Sequence, residues 1–403
     1  MNTRLVVLLA TLSMLGPLAI DTYLPSFHAL AREFAVGPAA IQQTLSVYLS
    51  GFAFMMLLSG GLSDAFGRRR VILSTLVLYV VASFGAAAAS GFDVFLYWRL
   101  LQGLAAGAGS VVGRAVVRDH VAGPQAQRVL SYMLMVYALA PAAAPVLGGW
   151  IEVSLGWRAV FVFLGTCGLL MLALCHAGLA ESLPPAARQR FAVAPMLANY
   201  VMVVKHARFM LMAVAGASMS IGFALYIGAA ASFVVDILHL PTTAFAWLCL
   251  PMILGTMSGA AVVARMGARI RTESMVGCGY ALMMLAAAAD VGYSFLTTVA
   301  LPWAVLPLML YTFGRGLATP GITMLGLDLF PHHRGLAASL QSFIQMLVFA
   351  LVAGILAPLL YDSAFKLACG LFGGCAISLV AWCAIQWGGR VAGMPARRRD
   401  ATR

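Results

Sequence analysis

Asp21 is the residue whose type and position most strongly suggest chemistry, because it is a single carboxyl group inside the apolar run of residues 5–31. An ionised carboxylate in the interior of a bilayer is costly unless it faces a cavity or a partner. In a cavity of intermediate polarity the group can alternate between charged and neutral forms, as a proton carrier must. The alternative is an aspartate near the outer interface with structural hydrogen bonds, which is how we interpret Asp290.

Three arginines also lie within apolar runs, and each must be paired or reach water because arginine does not lose its charge. Arg99 is positioned to tune the proton affinity of Asp21, to bind an acidic group of a substrate, or only to hydrogen-bond backbone carbonyls. Arg114 and Arg118, which directly follows the same run, are one helical turn apart, which favours either a gate or simple snorkelling to the surface. Arg315 has no partner nearby in sequence, and its role stays open.

A glycine–acid–arginine pattern occupies the segment from Gly60 to Arg70. Gly67 permits a backbone conformation that other residues resist, and Asp64 lies where a carboxylate can bind helix-end amides and arginines. Such a cluster can latch one face of a helical bundle, whereas the simpler interpretation is a solvated turn. The predicted latch or gate contains Asp64, Gly67, Arg68, Arg69, Arg114, Arg118 and Asp119.

Two prolines and a pair of glycines fall within one later apolar run. Pro141 and Pro145 each remove a helical hydrogen bond and bend the helix. Gly148 and Gly149 permit close approach of a neighbouring helix. We predict a bent, closely packed helix, which suits a rocking motion but also fits ordinary small-residue packing.

The composition indicates that these residues belong to a membrane protein. Hydrophobic residues make up 62% of the 403 positions and charged residues 9%, against about 25% charged residues in soluble domains. The basic residues stand between apolar runs and form no continuous face, so we expect no nucleic-acid partner. The seven cysteines include no C-x-x-C pair, and there is no Walker loop. We therefore predict no cofactor, no metal site and no enzymatic activity.

Twelve runs are long enough to span a bilayer, which requires about 20 apolar residues. They are residues 5–31, 41–62, 71–90, 94–117, 129–151, 159–180, 209–235, 244–264, 274–294, 300–327, 336–360 and 367–387. If both termini are cytoplasmic, 19 basic residues fall on the inner side and three on the outer side. That asymmetry follows the positive-inside rule.

The longest polar interruption lies between the sixth and seventh runs and predicts two halves. We expect an all-α membrane protein built from two pseudo-symmetric six-helix bundles. The predicted parts are an N-terminal bundle (1–180), a cytoplasmic linker (181–208), a C-terminal bundle (209–388) and a basic cytoplasmic tail (389–403). Glycine- and arginine-rich helix ends recur at equivalent places in the halves, as in duplicated secondary transporters.

Several segments together resemble the major facilitator superfamily. Residues 60–70 resemble the loop after its second helix, although Ala65 replaces the usual basic residue after the aspartate. Residues 99–103 resemble its fourth-helix motif, and residues 140–149 resemble the fifth-helix motif of its antiporters. Residues 20–25 (I-D-T-Y-L-P) and 113–119 resemble the Bcr/CflA drug-resistance group, and residues 311–314 and 345–347 are similar to MdfA-type multidrug transporters.

The resemblance covers essentially the whole chain and implies a drug/proton antiporter of the bacterial inner membrane. It implies small drug-like substrates, protons as coupling ions, membrane lipid as surroundings and a monomer that works by alternating access. Asp21 would carry the proton, while Ser13 stands where the MdfA-type transporter has a second acid. The candidates for substrate binding or for tuning Asp21 are Arg99, Gln102, Tyr23, Tyr48 and Tyr226. The alternatives are a nutrient importer or symporter of the same superfamily and, more remotely, a polytopic membrane enzyme.

Overall fold

The computed structural model is helical almost throughout and describes residues 3–121, 123–188, 193–266, 269–330 and 334–391. Its long helical segments are α1 (Thr3–Glu33), α2 (Pro38–Phe66), α3 (Arg68–Ala87), α4 (Phe92–His120), α5 (Gly123–Leu155), α6 (Trp157–Gly178), α7 (Ala207–Gly228), α8 (Thr242–Met266), α9 (Thr272–Leu296), α10 (Leu306–Leu327), α11 (Arg334–Leu360) and α12 (Ala364–Val391). Ten of these are long and apolar enough to cross a membrane by length and composition. Each of the twelve predicted runs coincides with one segment.

The tenth span begins later than the sequence predicts. The apolar run starts at residue 300, but residues 301–305 form turns and the helix starts at Leu306. Pro307 stands in the first turn of this helix, where its missing N–H costs nothing. Hydropathy alone does not detect this start, because the preceding turns are as apolar as the helix.

The first segment is interrupted directly after Asp21. An α-helix covers Thr3–Asp21, a 3₁₀ turn covers Leu24–Ser26, and a short helix covers Phe27–Glu33. Pro25 lies in the turn, where its lack of an N–H and its fixed φ disfavour a continuous α-helix. The carboxyl group of Asp21 is therefore placed at a helix end inside the protein.

Each half of the chain repeats one packing arrangement. In the first half α4 packs against α2 and α3, α1 packs against α5, and α6 packs against α3. In the second half α10 packs against α8 and α9, α7 packs against α11, and α12 packs against α9. The chain is thus an all-α protein with two pseudo-symmetric groups of six helices, as the sequence predicts.

The two halves meet along two seams. The helix α2 packs against α11, and α5 packs against α8. The segment between α6 and α7 contains a helix at Val193–Val204, and residues 189–192 lie outside the described part. The predicted basic tail (389–403) also lies largely outside it, since the description ends at residue 391. The start of α1, the end of α12 and the helix Val193–Val204 lie on one face, which we call the terminal face; the other is the opposite face.

Gly148 of α5 allows α5 to approach α1 closely. A Cβ atom on Gly148 would collide with the backbone carbonyl oxygen of Thr22, the residue after Asp21. A backbone atom cannot move aside as the tip of a flexible side chain can. The absence of a side chain at Gly148 therefore fixes the position of the helix end that carries Asp21.

We predict that Gly148→Ala destabilises the protein, because the added methyl group must push α1 and α5 apart. Overpacking of this kind costs roughly 1–3 kcal/mol, so the midpoint of thermal unfolding of the purified protein should fall. Gly373→Ala in α12 is the matched control, since a Cβ there meets no atom within 4 Å. Equal midpoints for the two variants would contradict the close α1–α5 contact.

Candidate functional site

Asp21 lies where the first half meets the second. Asp21 is 5% exposed, and no residue in the described ranges forms an ion pair with it. Tyr137 of α5 and Cys249 of α8 lie within electrostatic range of its carboxyl group. Because α5 and α8 form one of the two seams between the halves, Asp21 lies beside that seam.

Arg99 is enclosed beside Asp21 by aromatic rings. Arg99 is fully buried, and its guanidinium carbon lies 4.0 Å from the ring centroid of Tyr23 and 4.4 Å from that of Tyr48. One terminal nitrogen donates to Gln102 Oε1 at 2.5 Å and to the carbonyl oxygen of Ala19 at 3.3 Å. The cation–π contacts and these hydrogen bonds replace the missing ion pair.

Four of the predicted substrate or tuning residues are thus brought together: Arg99, Gln102, Tyr23 and Tyr48. All four are buried in the first half. Since the hydrogen bond to Ala19 reaches the helix turn that ends at Asp21, this cluster holds that turn in place.

Tyr226 lies apart from this cluster, in the second half. Its hydroxyl donates to a carboxylate oxygen of Asp290 at 2.8 Å, and its ring contacts that of Phe233 at 5.1 Å. Asp290 is 2% exposed, so our interpretation of Asp290 as interfacial was wrong. The pair joins positions 64 residues apart, and no sequence spacing signals it.

The turn after α2 is built as the glycine–acid–arginine pattern suggests. Gly67 has a φ of +95°, a region that only glycine adopts readily. The guanidinium of Arg68 pairs with Asp64 at 2.6 Å and with Asp119 at 3.2 Å. The backbone N–H of Arg68 donates to Glu181 Oε1 at 2.9 Å.

These contacts tie the turn to α4 and to the start of the linker, all within the first half of the chain. Arg69 points away from the cluster and donates to the carbonyl oxygen of His176 on α6 at 2.9 Å. Sequence reasoning missed Glu181, because its contact with Arg68 spans 113 residues. The one feature of the sequence that points to Glu181 is its place at the first polar position after the sixth span.

A cavity of about 590 Å³ opens on the terminal face between the halves. Arg114, which donates to the carbonyl oxygen of Ser110 at 3.0 Å, and the exposed Arg118 both line it. Its lining residues from the two halves include Met56, Gly60, Asp64, Arg68, Val111, Asn199, Tyr200, Leu336, Ser339 and Ser342. A larger groove of about 800 Å³ lies between α3 and α6 and does not touch the second half.

The opposite face is closed by contacts between the halves. His28 Nε2 lies 3.2 Å from a carboxylate oxygen of Asp236, and Ser46 Oγ donates to the carbonyl oxygen of Ala350 at 2.8 Å. A Cβ atom on Gly149 would lie 2.7 Å from the carbonyl oxygen of Thr242. The molecule is therefore in a state open only to the terminal face, within the part that the structure describes.

The Pro/Gly run of α5 is arranged along the seam. Pro141 and Pro145 lie inside the helix Gly123–Leu155, and the two glycines contact α1 and the start of α8. One helix surface therefore contacts both halves. Among the described residues, no group of three or more His, Cys, Asp or Glu side chains could hold a metal ion.

Comparison with known proteins agrees with this geometry. Residues 9–353 match the family described as Major Facilitator Superfamily. The chain is 28% identical over 355 residues to the "Uncharacterized MFS-type transporter YdgK" of Bacillus subtilis, covering 86% of each chain. It is 25% identical over 360 residues to the "Bicyclomycin resistance protein homolog" of Haemophilus influenzae, covering 88% of this chain and 89% of that one.

The "Multidrug transporter MdfA" of Escherichia coli O157:H7 is 25% identical over 333 residues, covering 82% of this chain and 80% of that one. Among solved structures, a D-xylose–proton symporter superposes with a TM-score of 0.75 at 14% identity, over 94% of this chain and 97% of that one. That likeness shows the fold alone. The predicted fold class of twelve transmembrane helices is confirmed.

We predict that Arg68→Gln destabilises the first half, because it removes two ion pairs and leaves Asp119, among the described residues, with the hydrogen bond from Ser182. The cost should be roughly 1–3 kcal/mol, measured as a lower midpoint of thermal unfolding. Arg69→Gln removes the same charge from the next position and loses one bond to a backbone oxygen, so its midpoint should change much less. Similar midpoints for both variants would reduce the pattern to a solvated turn.

Proposed function

Because the chain belongs to the major facilitator superfamily, we propose that it exports drug-like amphipathic compounds from the bacterial cytoplasm in exchange for protons. It is a transporter and not an enzyme. The observation that carries the proposal is the buried carboxyl group of Asp21, without an ion-pair partner among the described residues, at the seam between two halves that enclose a cavity open to one face.

The names of the relatives support export of drugs. Proteins called a bicyclomycin resistance protein homolog and a multidrug transporter align with more than four fifths of this chain. A further relative called "Chloramphenicol resistance protein" from Pseudomonas aeruginosa is 41% identical over 161 residues, which cover 40% of this chain.

The distribution of basic residues supports a cytoplasmic terminal face. Of the 22 basic residues that lie outside the spans, 19 are assigned to this face and three to the other, and cytoplasmic loops carry the excess of basic residues. The cavity then opens to the cytoplasm, and both termini and the linker (181–208) are cytoplasmic. We place the protein in the inner membrane as a monomer surrounded by lipid.

Alternating access follows from the two seams. In the present state the contacts of the opposite face, including His28–Asp236, close the outer side. When the halves rock at the seams of α2 with α11 and α5 with α8, these contacts separate and the cavity opens outward. The helix α5, which touches both halves and contains two prolines that favour a bend, is the element best placed to follow this motion.

Proton exchange at Asp21 gives the motion its direction. In the cytoplasm-open state, binding of the compound favours loss of the proton from Asp21. After the halves rock, a proton from outside binds to Asp21, and by linkage it weakens binding of the compound, which is released. Arg99 acts as a positioning residue, since it holds the helix turn that ends at Asp21 through the carbonyl oxygen of Ala19. The coupling ion is H⁺, and no cofactor takes part.

We predict that Asp21→Asn abolishes uphill transport, because the amide keeps the volume of the side chain but binds no proton. The substrate is the compound to which the wild-type protein gives the greatest resistance in a pump-deficient bacterium. Its accumulation in proteoliposomes under an imposed pH gradient should fall to the level of empty vesicles, while Asp21→Glu should retain part of the activity.

The matched control is Asp290→Asn, which removes the other buried carboxyl group of the described spans. Since Asp290 is hydrogen-bonded within the second half and away from the seams, this variant should still transport under the gradient. Uphill transport by Asp21→Asn together with its loss in Asp290→Asn would move the coupling site to Asp290. Accumulation of substrate in the direction of proton flow would instead indicate a symporter.

A labelling experiment tests the proposed orientation. In a variant without the native cysteines, Val153→Cys lies at the exposed outer end of α5, and Ala186→Cys lies in the exposed linker. A maleimide that cannot cross membranes should label Val153→Cys in intact cells and Ala186→Cys only after permeabilisation. The reverse pattern would invert the topology.

A further inference from the structure

Arg315 is a charged residue inside the second half for which the proposed proton exchange has no use. It lies near the middle of the helix Leu306–Leu327. No carboxylate in the described ranges forms an ion pair with it. Because a charge at this depth is costly, its retention calls for a partner that the protein itself does not supply.

The hydrogen bonds of the Arg315 guanidinium are few and long. One terminal nitrogen lies 3.4 Å from Ser220 Oγ and the other lies 3.4 Å from Thr256 Oγ1. The buried Nε has no hydrogen-bond partner, and the guanidinium carbon stands 4.5 Å from the ring centroid of Phe223. Arginine offers five N–H donors, and good N–H···O bonds measure about 2.7–3.2 Å. Most of the donor capacity is thus unused.

Arg99 is held more firmly by its own half, although its Nε and one terminal nitrogen also lack a hydrogen-bond partner. Its guanidinium lies against two tyrosine rings, donates a 2.5 Å bond to Gln102 and is fully buried. Arg315 has a single aromatic ring, only long hydrogen bonds and a partly exposed side chain. The long hydrogen bonds and the partial exposure indicate that the Arg315 guanidinium can take a further hydrogen-bonding partner.

The position of Arg315 relative to the cavity supports this conclusion. Ser342 of α11 lines the cavity, and Gln345 lies about one helical turn farther along the same helix. Gln345 Nε2 donates to Ser220 Oγ at 3.1 Å, the same hydroxyl that Arg315 contacts. Arg315 is therefore linked, through Ser220 and Gln345, to a helix that lines the cavity.

We propose that Arg315 binds an anionic group of the transported compound, a carboxylate or a similar oxyanion, and so extends the substrates to acidic and zwitterionic amphipathic compounds. The planar guanidinium suits two parallel hydrogen bonds to a carboxylate. Ser220, Thr256 and Gln345 supply additional polar groups, and Phe223 contacts the apolar part beside the charge. This inference rests on the proposed export function for the identity of the ligand as a transported compound.

The test compares two compounds that differ by one charge. Chloramphenicol is neutral, and chloramphenicol succinate carries an added carboxylate on an ester arm. Binding of each to the purified protein in nanodiscs is measured by titration calorimetry. We expect Arg315→Gln to weaken binding of the succinate at least tenfold and to leave binding of chloramphenicol within twofold.

Two further variants separate charge recognition from loss of folding. Arg315→Lys keeps the charge but not the planar geometry, so it should recover part of the affinity for the succinate. Arg158→Gln removes an exposed arginine that pairs with Glu33 and does not line the cavity, and it should change binding of the succinate less than threefold.

Three results would overturn the anion site: no binding of the succinate to the wild-type protein, unchanged binding in Arg315→Gln, or an equal loss for both compounds. Failure of the export proposal is visible separately. Arg315-dependent binding of the succinate by a protein that shows no proton-driven accumulation would retain the anion site and reject antiport.

Discussion

A charged side chain in the interior of a membrane protein must be neutralised, enclosed by polarisable groups or left in contact with water, and this constraint organises the molecule. Arg99 is enclosed by two tyrosine rings and Gln102. Asp290 accepts a hydrogen bond from Tyr226. The partners of Arg99 all belong to the first half, and the partner of Asp290 belongs to the second half. A relative movement of the halves therefore leaves the surroundings of each residue unchanged.

Asp21 and Arg315 are stabilised less completely: Asp21 lies beside the seam of α5 and α8, and the guanidinium of Arg315 makes only long hydrogen bonds. Within the described ranges neither has an ion-pair partner, and each belongs to a different half. In the proposed motion the surroundings of Asp21 change, because Cys249 of the other half lies within electrostatic range of its carboxyl group. Charges that are left incompletely stabilised by their own half are the ones that a proton or a bound compound can control.

The helix α5 connects the end of α1 that carries Asp21 to the second half. Gly148 lets the carbonyl of Thr22, next to Asp21, lie against α5. Gly149 lets the start of α8 lie against the same helix. In the proposed mechanism, a shift of α1 on protonation of Asp21 would reach the second half through this single helix, which contains two prolines.

The sequence predicts the spans well, because long apolar runs and their basic flanks follow directly from the physics of the bilayer. It also predicts the turn at Gly67, where only glycine readily adopts the observed backbone. It fails where contacts are distant in sequence: the burial of Asp290 by Tyr226, the bond from Arg68 to Glu181, and the separation of Tyr226 from the Arg99 cluster. Hydropathy cannot report which side of an apolar helix faces a partner.

The central claim is that binding of the transported compound and binding of a proton at Asp21 are coupled. It is tested most directly by mixing the purified transporter with its compound in weakly buffered solution and recording the pH with an indicator dye. If the proton and the compound oppose each other's binding, the wild-type protein should release up to about one proton for each molecule bound. Asp21→Asn should bind the compound and release none. Binding without proton release by the wild-type protein, or the same release by Asp21→Asn, would contradict the account.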